Sequence, residues 1–86
     1  MTISERLTDE RVNNVVCTDD ALVVDLMDGR TISVPIAWFP RLAGGSPEAR
    51  ANWQTCAGGY GIHWPDLDED LGTQGLLRGI PAPKAA

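Results

Sequence analysis

Lysine, histidine, cysteine, phenylalanine and tyrosine are all scarce in this 86-residue chain, and the scarcities exclude several chemistries. Seven bases, Arg6, Arg11, Arg30, Arg41, Arg50, Arg78 and Lys84, stand against twelve acids, for a net charge of −5. The bases are scattered and form no stripe, whereas a protein that holds nucleic acid by itself neutralises phosphates with clustered Lys and Arg. Direct binding of DNA or RNA is not expected, and a basic partner suits the charge balance better than an acidic one. Cys17 and Cys56 are the two cysteines, too few for a disulfide scaffold. Buried thiols in a reduced, cytoplasmic chain are the simplest expectation. No apolar run approaches the ~20 residues of a membrane helix. The polar start, Met1 to Arg6, lacks a basic segment followed by an apolar one, so no signal peptide is expected.

What remains is the composition of an ordinary globular protein, 43% hydrophobic and 22% charged. A chain of this length makes one domain, near the lower limit for folding without staples. No repeat or linker divides it. The expectation is a single domain over residues 1–86, with an ordered core at about 11–80, a polar N-terminal lead-in and a loose C-terminal tail.

Arg11 to Thr18 reads as a first strand, Ala21 to Met27 as a second and Arg30 to Pro35 as a third, with Asp19-Asp20 as the first turn. Register decides the second turn. A two-residue Asp28-Gly29 loop would mix the faces. A three-residue loop, Met27-Asp28-Gly29, pairs Leu26 with Arg30, Val24 with Ile32 and Leu22 with Val34, keeping the apolar residues on one side. It also puts Gly29 where a type I turn with a G1 bulge needs a left-handed residue. The opposite face, with Val23 and Asp25, is half-apolar and could support dimerisation or docking.

Ile36 to Leu42 reads as a short helical turn limited by Pro40. Ser46-Pro47-Glu48 is a helix start, with a capping hydroxyl, proline at the first helical position and an acid at the positive end. That helix is expected to reach about Thr55, with Ala49, Trp53 and Cys56 toward the core. Gly58 to Trp64 alternates Tyr60, Ile62 and Trp64, and reads as a fourth strand ended by Pro65. Thr73 is expected to cap a last helix through Leu76 and Leu77. The fold class is α+β: a three-stranded antiparallel meander plus a fourth strand joining it, packed against two or three short helices.

The candidate sites are few. Asp66, Asp68, Glu69 and Asp70 have the spacing that opens a calcium loop, but Leu71 and Leu77 stand where such a loop needs Gly and Glu, so no metal is expected. They read as a solvated turn or as an acidic patch for a partner. His63 is the one histidine, on the strand face opposite Ile62 and Trp64. Asp66 could orient it and Cys56 could supply a thiol, yet no motif brings the three together, and one His with two distant Cys lacks zinc spacing. Gly58-Gly59-Tyr60-Gly61 precedes a strand, whereas a phosphate loop follows one, so it reads as a turn. No catalytic residue and no cofactor are expected. Most of Trp38, Phe39, Trp53, Tyr60 and Trp64 must form the core. If one indole is exposed as an interface anchor it is Trp38, beside Arg41, or Trp64, beside the acidic run.

Trp38-Phe39-Pro40-Arg41-Leu42, Ser46 to Trp53, Gly61-Ile62-His63-Trp64-Pro65-Asp66-Leu67-Asp68-Glu69-Asp70-Leu71 and Gly75-Leu76-Leu77 resemble the bacterial domain-of-unknown-function 2442 family. The preceding Leu-x-Val-x-Leu-x-Asp-Gly hairpin is similar too, so the resemblance spans roughly Val12 to Gly79. It implies a small α+β domain without established biochemistry. Some members carry a further C-terminal helix-turn-helix, and an antitoxin role beside a neighbouring gene has been proposed for others. This sequence leaves no room for the helix-turn-helix, which turns the expectation from operator binding to protein binding. The expected function is an acidic, antitoxin-like interaction module that neutralises or regulates a basic partner through Asp66, Asp68, Glu69, Asp70, Trp38, Arg41 and Trp64. The alternatives are an inhibitor that mimics nucleic acid, blocking a nuclease or phage-defence complex in the manner of anti-CRISPR proteins, and, more distantly, an enzyme using His63.

Overall fold

Two antiparallel three-stranded sheets, joined by short helices, make up the α+β fold of the computed structural model, which describes residues 8–79. The outer parts of the lead-in and tail read from the sequence lie outside the described residues. The first sheet is the meander β1 (Val12–Cys17), β2 (Ala21–Leu26) and β3 (Thr31–Pro35). Leu22 lies opposite Val34 and Val24 opposite Ile32, as the three-residue loop requires. Gly29 has φ +96°, and the amide of Leu26 donates to the carbonyl of Arg30 at 2.8 Å.

Val12 and Val15 are three apart, yet both are buried, which the two-residue period of a strand forbids. The register shift between Val12 and Asn14 resolves this: the extra residue of a β-bulge returns both valines to the inner face.

The path from β3 to the second sheet differs from the sequence reading. A 3-10 turn at Ile36–Trp38 precedes α1 (Pro40–Ala43), so Pro40 opens a helix instead of limiting one. Helix α2 (Pro47–Ala51) starts as anticipated, with the Ser46 hydroxyl accepting from the Ala49 amide at 3.1 Å. It ends at Ala51, short of Thr55, and the Arg50 carbonyl accepts the Trp64 indole N–H at 3.0 Å. That carbonyl would otherwise continue the helix.

The expected fourth strand does not join the meander. It is β5 (Gly61–Trp64), the centre of a second sheet between β4 (Gln54–Cys56) and β6 (Glu69–Gly72). A left-handed turn through Ala57, Gly58 and Gly59 leads into β5, and a turn over residues 65–68 leads out. Thr73 begins α3 (Thr73–Arg78) without capping it, because Gly72 is the cap residue. The Thr73 amide instead donates to the Tyr60 carbonyl at 2.9 Å.

One core joins the inner faces of both sheets. Leu22, Val24, Leu26 and Val34 from the first meet Ile62 and Trp64 from the second, with Phe39, Leu42 and Leu76 from the helical segments. Trp64 is fully buried, and each such large side chain contributes about 2–3 kcal/mol. No described helix is long and apolar enough to cross a membrane.

Candidate functional site

Strand alternation separates the acidic run into different environments. Glu69 pairs with Trp64 and therefore shares its inner face, where it is buried with its Oε1 accepting the Asp70 amide at 3.1 Å. Asp70 pairs with His63 and points outward. The four acids read from the sequence as one patch thus divide: Asp66, Asp68 and Asp70 are exposed, whereas Glu69 is not available to a partner.

The exposed acids are anchored by their neighbours. Asp66 accepts from the Asn52 side-chain amide at 3.0 Å. Asp68 takes a left-handed conformation, φ +51°, and its carbonyl accepts from the Arg41 guanidinium, which also lies 3.9 Å from its carboxylate. Asp70 Oδ1 stands 2.5 Å from His63 Nδ1. The carboxylate that holds the histidine is Asp70, directly across the ladder, and not Asp66. Cys56 lies on the same outer face of the second sheet as His63, over Gly61, instead of turning to the core from a helix. Among the described residues no His, Cys, Asp and Glu side chains form a group of three suited to a metal ion.

The two tryptophans considered as anchors behave differently. Trp64 has no exposed surface, so it serves the core and presents nothing to a partner. Trp38 is half-buried, with its ring against Gly79.

Charge pairing sets the character of the surface. Asp9 binds Arg11 through a 2.7 Å ion pair, which holds its carboxyl below the usual range. Arg30 pairs with Asp28 at 2.8 Å. Its hydrogen bonds, joined by one from the Asp9 amide, lower the Asp28 pKa to about 2. Arg50 meets Asp19 at 3.1 Å. Arg11, Arg30, Arg41 and Arg50 are therefore each engaged by an acid of the same chain.

A second feature had no signature in the sequence: an open groove of about 490 Å³ between β1 and α2. Its floor is the consecutive run from Val15 to Asp19, and its far wall is Pro47, Arg50, Ala51 and Trp53. Successive strand residues face opposite sides of a sheet, so three in a row, Val15 to Cys17, line one groove only along the strand's edge. Strand β1 is the edge of its sheet. The Arg50 side chain is fixed here, with Nε donating to the Leu42 carbonyl and Nη2 to that of Ala43, both at 2.8 Å. The Cys17 thiol is half-buried, and burial raises its pKa despite the opposing charge of Arg50.

Two short meanders sharing one core, with an acid-rich turn and an edge groove, define a small α+β domain. The chain belongs to the family described as "Protein of unknown function (DUF2442)", whose model matches residues 12–82. It is similar to a protein of unknown function from Rhodospirillum rubrum, at 32% identity over 86% of this chain and 92% of that one, with a TM-score of 0.71. An uncharacterized protein from Chromobacterium violaceum shares the fold at 21% identity, covering 85% of this chain and 69% of that one, with a TM-score of 0.72. No curated protein matches.

Proposed function

We propose that this domain is a protein-interaction module that binds a basic partner protein, acting in the manner of an antitoxin in a reduced, cytoplasmic setting. The observation that carries this reading is the pairing of Arg11, Arg30 and Arg50 with Asp9, Asp28 and Asp19, away from the acidic turn, where Asp66, Asp68 and Asp70 are exposed and a single arginine, Arg41, reaches Asp68. A surface so balanced attracts cationic proteins and repels nucleic acid and anionic membranes. Every buried side-chain polar atom among the described residues has a hydrogen-bond partner, so none waits in the core for a small ligand. Both cysteines are free thiols.

The test is affinity capture of the tagged protein from its native cells at moderate salt. One stoichiometric basic protein is expected, and it should be lost when Asp66, Asp68 and Asp70 are replaced by Asn. If that partner is a toxin, its growth inhibition should be relieved by co-expression of the wild-type domain and not of the triple variant. Recovery of no protein, or retention by the triple variant, defeats the proposal. The enzymatic reading has one observation in its favour, the His63–Asp70 pair. Against it, no thiol or hydroxyl among the described residues hydrogen-bonds the ring, so the pair has no nucleophile to activate.

A further inference from the structure

We infer that the groove beside β1 receives an extended segment of the basic partner, which adds to the first sheet as a further strand. This inference rests on the proposed protein-binding role and names the mode and the place of contact.

The ladder geometry fixes which backbone groups are available. The Thr18 amide donates to the Ala21 carbonyl at 2.8 Å, closing the β1–β2 hairpin. Hydrogen-bonding direction alternates along an antiparallel strand, so Asn14, Val16 and Thr18 bond toward β2. Val15 and Cys17 direct their amides and carbonyls the other way, into the groove. No other backbone segment among the described residues hydrogen-bonds them. An unpaired edge of this kind is a template for strand addition.

Just before β1, Gly59 approaches the Arg11 side chain so closely that an added Cβ would come within 3.1 Å of it. Strand β3, the other edge of the sheet, ends in Pro35, which has no amide to donate. The stretch of β1 from Val15 onward lines the groove.

The size and lining define the occupant. With a rise of about 3.3 Å, a strand spacing of about 4.8 Å and a layer depth of about 10 Å, an added strand needs roughly 160 Å³ per residue. The groove of about 490 Å³ therefore takes about three residues. Pro47, Ala51 and Trp53 suit small apolar side chains. The charge complement is cationic: Arg50 is held by Leu42, Ala43 and Asp19, while the Asp19 side chain is 96% exposed and Asp20 follows it. The segment carries β-branched or small residues with Lys or Arg at the end that meets this turn.

The test needs no native partner. Amide hydrogen exchange in the full-length protein should find Val15 and Cys17 fast and Asn14, Val16 and Thr18 slow. The probe is the hexapeptide acetyl-Lys-Val-Thr-Val-Thr-Lys-amide, titrated to millimolar concentration and followed by amide NMR. Saturable shifts confined to Val15–Asp19 and the wall of α2, with slowed exchange at Val15 and Cys17, are expected. A twin peptide N-methylated at alternate residues should bind at least ~10-fold more weakly, because it keeps the side chains and loses the ladder. Ala51→Trp fills the groove from an exposed position and should weaken peptide binding by a similar factor while the amide spectrum stays folded. Equal binding of both peptides, unchanged exchange at Val15 and Cys17, or full binding to Ala51→Trp overturns strand addition. Protection that grows with protein concentration alone assigns the edge to a second copy and equally overturns it. Should capture yield a partner that depends on Asp66, Asp68 and Asp70 but leaves Val15 and Cys17 unprotected, the protein-binding role stands and this inference fails.

Discussion

Replacing Trp64 with Phe tests the account of how the two sheets are joined. The indole is fully buried, and its N–H donates to the Arg50 carbonyl at 3.0 Å, at the point where α2 ends. Phenylalanine keeps most of the apolar volume and removes the donor. A buried acceptor left without its partner costs about 1–3 kcal/mol. The smaller ring leaves a void worth about 1 kcal/mol more. The expected loss is therefore about 2–4 kcal/mol, against a total stability of roughly 4–13 kcal/mol for a domain of this length. In thermal unfolding followed by circular dichroism, each kcal/mol lowers Tm by about 4–8 °C in so small a protein, so Tm should fall by at least ~8 °C. The comparison is Trp38→Phe, since Trp38 is half-buried and its indole N–H has no hydrogen-bond partner among the described residues. That change should cost under about 1 kcal/mol. If Trp64→Phe costs no more than Trp38→Phe, the indole bond does not terminate the helix and the reasoning is wrong.

Other perturbations probe separate elements. Ser46→Ala removes the hydroxyl that accepts the Ala49 amide and should lower stability by about 1 kcal/mol in urea titration, with the m-value unchanged. Gly29→Ala meets no steric obstacle, as nothing lies within 4 Å of its added carbon, yet φ of +96° strains any side chain. A loss of about 1–2 kcal/mol is expected, with Gly29→Asn milder. Asp28 has a folded pKa lowered to about 2, so it favours the folded state above its unfolded pKa, and that contribution fades as pH falls from about 4 toward 2. Asp28→Asn should flatten the acid limb of the stability curve in that window and leave the neutral-to-alkaline slope alone. Cys17, with its pKa raised by burial, should be alkylated more slowly by iodoacetamide at pH 8 than a free thiol, as read by mass spectrometry after digestion.

The meander was legible because local rules and burial agree there. Alternating apolar residues across β2 and β3 leave a single loop length that keeps one face apolar, and Gly29 supplies the conformation that loop needs. Ser46-Pro47 likewise states a helix start in chemistry the chain carries locally. The second sheet was not legible because its outer strands have no pattern of their own. Gln54–Cys56 is too short to show alternation, and Glu69–Gly72 looks like a turn. Both are strands because β5 lies between them and supplies their partners. The acidic patch was overread for the same reason: proximity in sequence placed Glu69 with Asp70, and the pleat turned it inward beside Trp64. The end of α2 depends on a donor from fourteen residues further along, which no local rule contains. The groove lies between elements and belongs to neither one's sequence.

Arg50 gives the molecule a single clasp. Its carbonyl is held by Trp64 of the second sheet, its guanidinium by the end of α1, and its remaining nitrogen by Asp19 in the first hairpin. Both three-stranded sheets bury their inner faces in one core, so neither half is a separate melting unit, and this residue bridges them at the seam. A lysine there, being a point charge without a fork, would keep the sign and lose the simultaneous grip. The side-chain ties to Leu42, Ala43 and Asp19 would weaken while the main-chain bond to Trp64 persisted, loosening the seam between the sheets within their shared core. Cooperativity in this fold rests on the core that both sheets share, and variation at position 50 would be read out as a lower midpoint of a single unfolding transition.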